Sequence, residues 1–317
     1  MAHRALITGV PGFAGGFLAQ HLLDCGDAVL GCSPDGAWEQ HSPQELRARV
    51  ELVAWDLGSR EGISADARQR IEHFRPDWIF HLAAISVPED CGPDQPAPEA
   101  TAVNVEGTRR VLELAASFGW RSRVLFTSSS HVYAPVDRRS PRVDENAPLG
   151  PTRGYGQTKL AAEREVCLAV DGHGCDAVIA RAFQHTGPRQ SSRMMLPQWV
   201  EQFVGGGSEP VSVHTRDAQI DLSDVRDVVR AYRLLAEHGR RGGVYNVGSG
   251  ISRPTGHVLD LLQRVADPNR LVVETHPGFK QDPIADVTRL AQATGWRAAI
   301  RLEETIAYTL AWWRRAG

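Results

Sequence analysis

Short apolar runs alternate along the chain with stretches in which apolar residues recur every three or four positions. Arg4-Ala5-Leu6-Ile7-Thr8 is the first such run, and Phe17, Leu18, Leu22 and Leu23 after it fall on one helical face. Further strands are predicted at 28–32, 50–57, 77–84, 123–130 and 176–181, with a helix over 104–119 and another carrying Tyr155. This regular strand–helix alternation predicts an α/β fold, a doubly wound parallel Rossmann sheet. From Phe183 the rhythm loosens. Helices near 194–204, 224–237, 256–265 and 302–316 are separated by short strands at 211–213 and 244–247. We expect a dinucleotide-binding domain over 1–182, with a return segment about 217–247. The rest of 183–317 is expected to form a smaller substrate-binding lobe closing over the sheet's ligand edge. Gly205-Gly206-Gly207 is read as a flexible joint, because no strand feeds it.

The turn after the first strand, Gly9-Val10-Pro11-Gly12-Phe13-Ala14-Gly15, opens a helix. Glycines at 9, 12 and 15 permit a tight turn and close approach of backbone to a pyrophosphate, which the helix N-terminus attracts. The second strand ends Cys32-Ser33-Pro34-Asp35. Ser33 suits a 2′-phosphate and Asp35 repels one, so the cofactor is read as NAD(P) with a lean to NADP. Asp56, at another strand end, either accepts from an adenine amino group or caps its own turn. His81 is expected to pack or hydrogen-bond within the sheet. The Pro- and Gly-rich piece from Val87 to Pro98 is either a substrate lip or a solvated connector. Ser128, Ser129 and Ser130 bring hydroxyls to the ligand edge, to meet a substrate oxygen or to satisfy backbone groups.

Composition narrows the classes. Among 317 residues the net charge is −3, with both signs dispersed, which excludes a basic nucleic-acid stripe or a polybasic membrane anchor. No apolar run approaches the ~20 residues that span a bilayer. Five cysteines without C-x-x-C spacing fit a reducing compartment, and a cytoplasmic protein without a metal site is expected.

Tyr155-Gly156-Gln157-Thr158-Lys159 carries the candidate chemistry. On a helix, residues four apart share a face. A free phenol titrates near pH ~10, and a neighbouring ammonium pulls that value toward neutrality. Such a pair passes a proton to or from a carbonyl or alcohol. The pattern alone also occurs by chance.

Taken together, these pieces resemble the extended short-chain dehydrogenase/reductases, the sugar-nucleotide-modifying branch. The resemblance rests on Thr8-Gly9-x-x-Gly12-Phe13-x-Gly15, His81-Leu82-Ala83-Ala84, Asn104-Val105-x-Gly107-Thr108, Ser128-Ser129-x-x-Val132-Tyr133, Tyr155-x-x-x-Lys159 and Arg181-x-Phe183. It continues in Asp221-Leu222-x-Asp224-Val225-x-Asp227 and Tyr245-Asn246-Val247-x-Ser249-Gly250. It implies a catalytic triad of Ser129, Tyr155 and Lys159, with Lys159 binding the nicotinamide ribose and depressing the tyrosine's pKa. The implied cofactor contacts are Gly9, Gly12, Phe13, Gly15, Ser33, Asp56, Leu57, Ala83, Tyr155 and Lys159. The implied substrate contacts are Ser86, Ser130, His131, Gln184, Arg189 and Arg216. The branch also implies a homodimer, formed through helices near 104–119 and 157–170.

Within the branch, Arg181 through Gln190 is most similar to the GDP-4-keto-6-deoxy-mannose reductases, which implies a nucleotide-sugar substrate. A 4-epimerase shares every catalytic residue, and a catalytically silent binding protein is the alternative from another class. Three departures stand out. Gln184 replaces an asparagine, Ile220 replaces an arginine that grips the diphosphate, and Phe279-Lys280-Gln281-Asp282-Pro283 stands in place of a late arginine–proline element. Arg189, Arg193, Arg216 and Lys280 are the available compensating cations. His131 stands where dehydratases of the branch carry a glutamate acid, which moves 4,6-dehydration down the list.

Overall fold

A computed structural model describes residues 2–39 and 42–316. Seven strands, all paired in parallel, make the main sheet. Their order across it is Val244–Val247, Asp176–Ala182, Arg123–Ser129, Trp78–His81, Arg4–Thr8, Ala28–Ser33 and Glu51–Ala54. Strands buried on both faces need helices on both sides. One face is covered by the helices Phe13–Asp24 and Val225–His238, whose Phe17, Leu18, Val228 and Leu235 share a core with Ile7 and Phe80. The other is covered by Gly107–Ser117 and Gly154–His173, whose Val111 and Val166 pack with Leu6, Ile79 and Phe126. The expected doubly wound parallel sheet is therefore present. The strand order reverses beside Arg4–Thr8, and that switch point is where such sheets bind ligands.

The remaining residues build a smaller lobe around Ala218–Asp224. That strand pairs with Gln184–Thr186, Ser252–Pro254 and Lys280–Gln281. Trp199, Ile220, Leu222, Leu259 and Ile306 form its own core. Asp221 ties it down from within. The carboxylate accepts from the Ser249 N–H (2.7 Å) and hydroxyl (2.6 Å), and from the N–H groups of Gly250 (2.9 Å) and Ala285 (3.0 Å).

Two segments differ from expectation. The Val87–Pro98 stretch, read as a loop, holds a short helical turn at Pro88–Cys91, and a helix starts at Pro98. The helix predicted from 104 therefore begins earlier, and a π-helical turn, Ala102–Glu106, interrupts it before Gly107–Ser117. The cause is Asn104. Its side chain leaves the helix surface to accept from the Ile85 N–H (2.8 Å) and to donate to the Ile85 carbonyl (3.0 Å) and the Thr158 hydroxyl (3.0 Å). Local distortions of this kind sit where a helix must deliver a polar group.

A buried ion pair joins sheet to helix. Arg181 donates to both oxygens of Glu163, at 2.9 and 2.8 Å, with both side chains almost fully enclosed. Replacing Arg181 with Leu leaves the Glu163 carboxylate buried without its counter-ion. We expect a loss of roughly 3–5 kcal/mol in urea unfolding, against about 0.5 kcal/mol or less for a typical surface substitution.

Candidate active site

The glycine turn is shaped for close approach. Gly9 adopts φ +75°, and a Cβ there would fall 2.8 Å from the Ala83 Cα. The Gly12 N–H donates to the Gly9 carbonyl (3.1 Å), and Gly12 caps the helix Phe13–Asp24 without a side-chain acceptor. No acidic residue occupies that helix's first turn. Its open N–H groups and positive dipole end suit a diphosphate, so these residues fit the dinucleotide the motif implies.

The ribose end is more self-contained. The buried Ser33 hydroxyl donates to the Ala37 carbonyl (3.0 Å) and lies 3.4 Å from Asp35 Oδ1, which itself accepts from the Ala37 N–H (3.0 Å). Asp56 Oδ1 caps its own turn, accepting from the Gly58 N–H at 2.8 Å. Leu57 is buried, and its carbonyl accepts from Arg110. Ala83, facing Gly9, donates its N–H to Thr8 Oγ1 (3.3 Å). Phe13 stacks on His185, centroids 5.9 Å apart, a contact that the spacing of single motifs did not reveal.

Ser129 ends its strand, and its hydroxyl accepts from the His131 N–H (3.2 Å) as the chain turns. Tyr155 lies in the first turn of Gly154–His173. Gly156 lets that helix come close, since a Cβ there would be 2.2 Å from the His131 carbonyl oxygen. Burial pushes the Tyr155 phenol up to about 12, and the nearby Ser129 hydroxyl opposes that. Lys159 is buried and donates to the Thr127 carbonyl (2.8 Å), its ammonium 5.0 Å from the centre of the Phe126 ring. Burial lowers it to about 8, against the pull of Cys91 and Glu163.

The Lys159 ammonium donates to a backbone carbonyl, and the direction of the tyrosine's shift is set by removal of the phenol from water. His81 is neutral within the sheet, between Thr8 Oγ1 (2.7 Å) and Thr108 Oγ1 (3.0 Å), its pKa lowered by burial to about 3.

Beside Tyr155 opens a pocket whose walls include Ser130, His131, Phe183, Gln184, Asp221 and Asp282. His131 meets the Tyr155 ring edge-on at 5.5 Å. Crowding by protein lowers its pKa, Asp282 opposes that, and Lys280 and Arg153 add to it. Gln184 donates to Asp282 at 2.9 Å. Asp221 and Asp282 line this pocket and were not among the substrate contacts expected from the sequence.

The cations expected at the substrate are not in the wall of this pocket. Arg189, at φ 69°, stacks on Phe17 of the glycine-turn helix, 3.8 Å from the ring centre. Arg216 pairs with Asp260 (2.7 Å), and Arg193 with Asp90 (2.7 and 2.9 Å). Lys280 pairs with Asp282 (3.0 Å). Ile220 fills the small lobe's core, and Ser86 is exposed away from the pocket wall. Among the described residues no cluster of His, Cys, Asp and Glu is arranged to hold a metal ion, and no helix is long and apolar enough to cross a membrane.

Comparison with known proteins agrees with this geometry. Residues 5–248 match the model of the NAD dependent epimerase/dehydratase family. GDP-6-deoxy-D-mannose reductase of Pseudomonas aeruginosa is 27% identical over 322 residues, covering 99% of this chain and 98% of that protein. UDP-glucose 4-epimerase of Mycolicibacterium smegmatis is 30% identical over 329 residues, covering 98% of each. The solved structure of RMD from Pseudomonas aeruginosa complexed with NADPH superposes with a TM-score of 0.80 at 25% identity, over 100% of both chains. With its glycine turn, its Tyr155 helix and the matched family pattern spanning well over half its length, the chain belongs to the NAD dependent epimerase/dehydratase family of enzymes.

Proposed function

We propose that the protein is a reductase of a nucleotide-linked 4-keto-6-deoxy-hexose. The observation that carries this reading is the Tyr155 phenol, held protonated by burial, near the Ser129 hydroxyl and edge-on to His131 of the pocket wall. Reduction of a ketone adds a hydride to carbon and a proton to oxygen. A phenol pushed up to about 12 is an acid that keeps its proton until an oxyanion develops beside it. Ser129 and Tyr155 hold the carbonyl oxygen, and Tyr155 gives it the proton. Lys159, fixed on the Thr127 carbonyl, supports the tyrosine from the next helical turn.

A nicotinamide cofactor, when bound, supplies the hydride. The residues placed to hold it are Gly9, Gly12, Phe13 and Gly15 at the diphosphate, Ser33, Asp56, Leu57 and Ala83 at the sheet edge, and Lys159 toward the nicotinamide ribose. We infer NADP, on the Ser33 hydroxyl and on the NADPH complex of the superposed reductase.

Reduction over dehydration is favoured by His131, which stands beside Ser129 without an acidic neighbour on its own turn and with its pKa lowered. A second reading, 4-epimerisation, is favoured by the likeness to the mycobacterial UDP-glucose 4-epimerase and uses the same three residues. A homodimer is supported by a surface groove along the Tyr155 helix, walled by Leu149, Gln157, Leu160 and Arg164, and by the exposed Leu168 on that helix.

Two experiments test the reading. Incubation with GDP-4-keto-6-deoxymannose and NADPH is expected to oxidise the cofactor stoichiometrically with formation of a 6-deoxyhexose. Tyr155→Phe is expected to cut that rate by about 10²-fold or more while cofactor binding, read by nicotinamide fluorescence, stays within about twofold. Interconversion of sugar epimers without net cofactor oxidation would establish the epimerase instead, and unchanged turnover in Tyr155→Phe would refute both.

The second concerns Lys159, whose folded-state pKa is lowered to about 8 from an unfolded value of about 10.4. The unfolded chain therefore binds this proton more tightly. Its stabilising contribution is full above the unfolded value and is lost as pH falls through about 8. In urea unfolding, wild type minus Lys159→Met should become more favourable between pH 8 and about 10.4. A pH-independent difference would show that the lysine is not desolvated.

A further inference from the structure

We propose that Asp282 determines the sugar specificity of this site, selecting nucleotide sugars with a neutral hexosyl group and excluding hexuronosyl groups. The inference rests on the nucleotide-sugar reading above and specifies what its sugar subsite accepts. Asp282 belongs to a strap, residues 275–283, that pairs through Lys280–Gln281 with the central strand of the small lobe. The strap brings the Asp282 carboxylate into the wall of the pocket that adjoins Tyr155 through His131.

The two carboxylates in that wall are not equivalent. Asp221 is saturated by four donors from its own lobe, so it has little left to offer a ligand. Asp282 accepts from Gln184 at one oxygen (2.9 Å) and pairs with Lys280 at the other (3.0 Å), and its side chain remains 17% exposed. Each carboxylate oxygen has a second lone pair, so Asp282 retains acceptor capacity for a hydroxyl or amino donor.

Among the described residues no lysine or arginine lines the pocket. Three cations act on its walls, Lys280 on Asp282, Arg153 on His131 and the half-buried Arg253 on Asp221. The Lys280 side chain is 65% exposed, where water screens it, and Arg153 is likewise exposed. His131, the remaining basic group in the wall, is held toward its neutral form. A sugar hydroxyl entering here meets an acceptor. A sugar carboxylate meets the Asp282 charge in a partly desolvated wall, its paired ammonium being the largely exposed Lys280, and like charges a few ångströms apart disfavour binding. The departure from the family's late arginine–proline element is thus a change of charge in the sugar's surroundings as well as a loss of diphosphate contacts.

The test is binding by isothermal titration to the intact protein preincubated with NADPH, using the matched pairs UDP-glucose with UDP-glucuronate and GDP-mannose with GDP-mannuronate. For whichever pair binds, the neutral sugar is expected to bind at least about tenfold more tightly than the uronate. Asp282→Asn keeps an acceptor for Gln184 and removes the charge, and is expected to narrow that ratio to about threefold or less. Lys280→Met removes the outer cation and is expected to widen it. Opposite movements separate an electrostatic role from mere displacement of the strap, which would shift both variants the same way. A native protein that binds both members of a pair equally, or an Asp282→Asn ratio equal to the native one, overturns the assignment and leaves the nucleotide-sugar reading standing. Failure of all four probes to bind overturns that reading, and this one with it.

Discussion

The arrangement depends on one buried electrostatic contact, the pairing of Arg181 with Glu163. Two charges removed from water at the centre of a domain are tolerated only when geometry and hydrogen bonding satisfy both. Here the guanidinium fork meets both carboxylate oxygens, and its remaining face donates to the Tyr133 hydroxyl (3.1 Å) and the Glu145 carbonyl (3.1 Å). Tyr133 in turn donates to Asn246 Oδ1 (2.6 Å), while the Asn246 N–H donates to Glu145 (2.8 Å). Because every member must be satisfied, the network has little freedom. It fixes the Tyr155 helix against the Asp176–Ala182 strand and, through Tyr133, the turn that follows Ser129. Tyr155 and Ser129, the donor and its partner in the proposed reaction, are therefore positioned by the same set of bonds.

The second lobe is fastened by shorter-range means. Asp221 gathers backbone donors from two separate segments, and the Arg193–Asp90 pair reaches from the small lobe to the turn at Pro88–Cys91. The first is enclosed and rigid. The second is exposed and screened, and contributes little. The Asp221 anchor thus lies within the lobe, while the contact to the turn at Pro88–Cys91 is one that solvent can replace.

What the sequence disclosed follows from how local each feature is. The main sheet was legible because each strand is a continuous apolar run bounded by its own turn, and the glycine turn because its function is written in backbone freedom at Gly9. The short strands of the second lobe were not. Ser252–Pro254 and Lys280–Gln281 are too brief to show periodicity and exist only because Ala218–Asp224 offers them an edge. The π-turn at Asn104 carried a motif but no hint of its geometry, which depends on Ile85 and Thr158. The arginines were the hardest to place. A cation in sequence gives no sign of its partner, and Arg216 and Arg193 are committed to Asp260 and Asp90. Asp282 was visible only as part of the departing segment Phe279–Pro283, and nothing there joined it to Gln184, 98 residues away.

Burial sets the direction of the chemistry. The phenol and the ammonium share a helical face, and in water that proximity would favour a phenolate stabilised by a cation. Enclosed in the domain, each resists its charged form, so the tyrosine is pushed up and the lysine is brought down. The proton consequently rests on oxygen. Under the proposed reduction, such a phenol keeps its proton until an oxyanion develops beside it. The pocket is consistent with that reading. Its wall offers an acceptor carboxylate and a neutral imidazole, and no cation that would stabilise a phenolate before the substrate is in place.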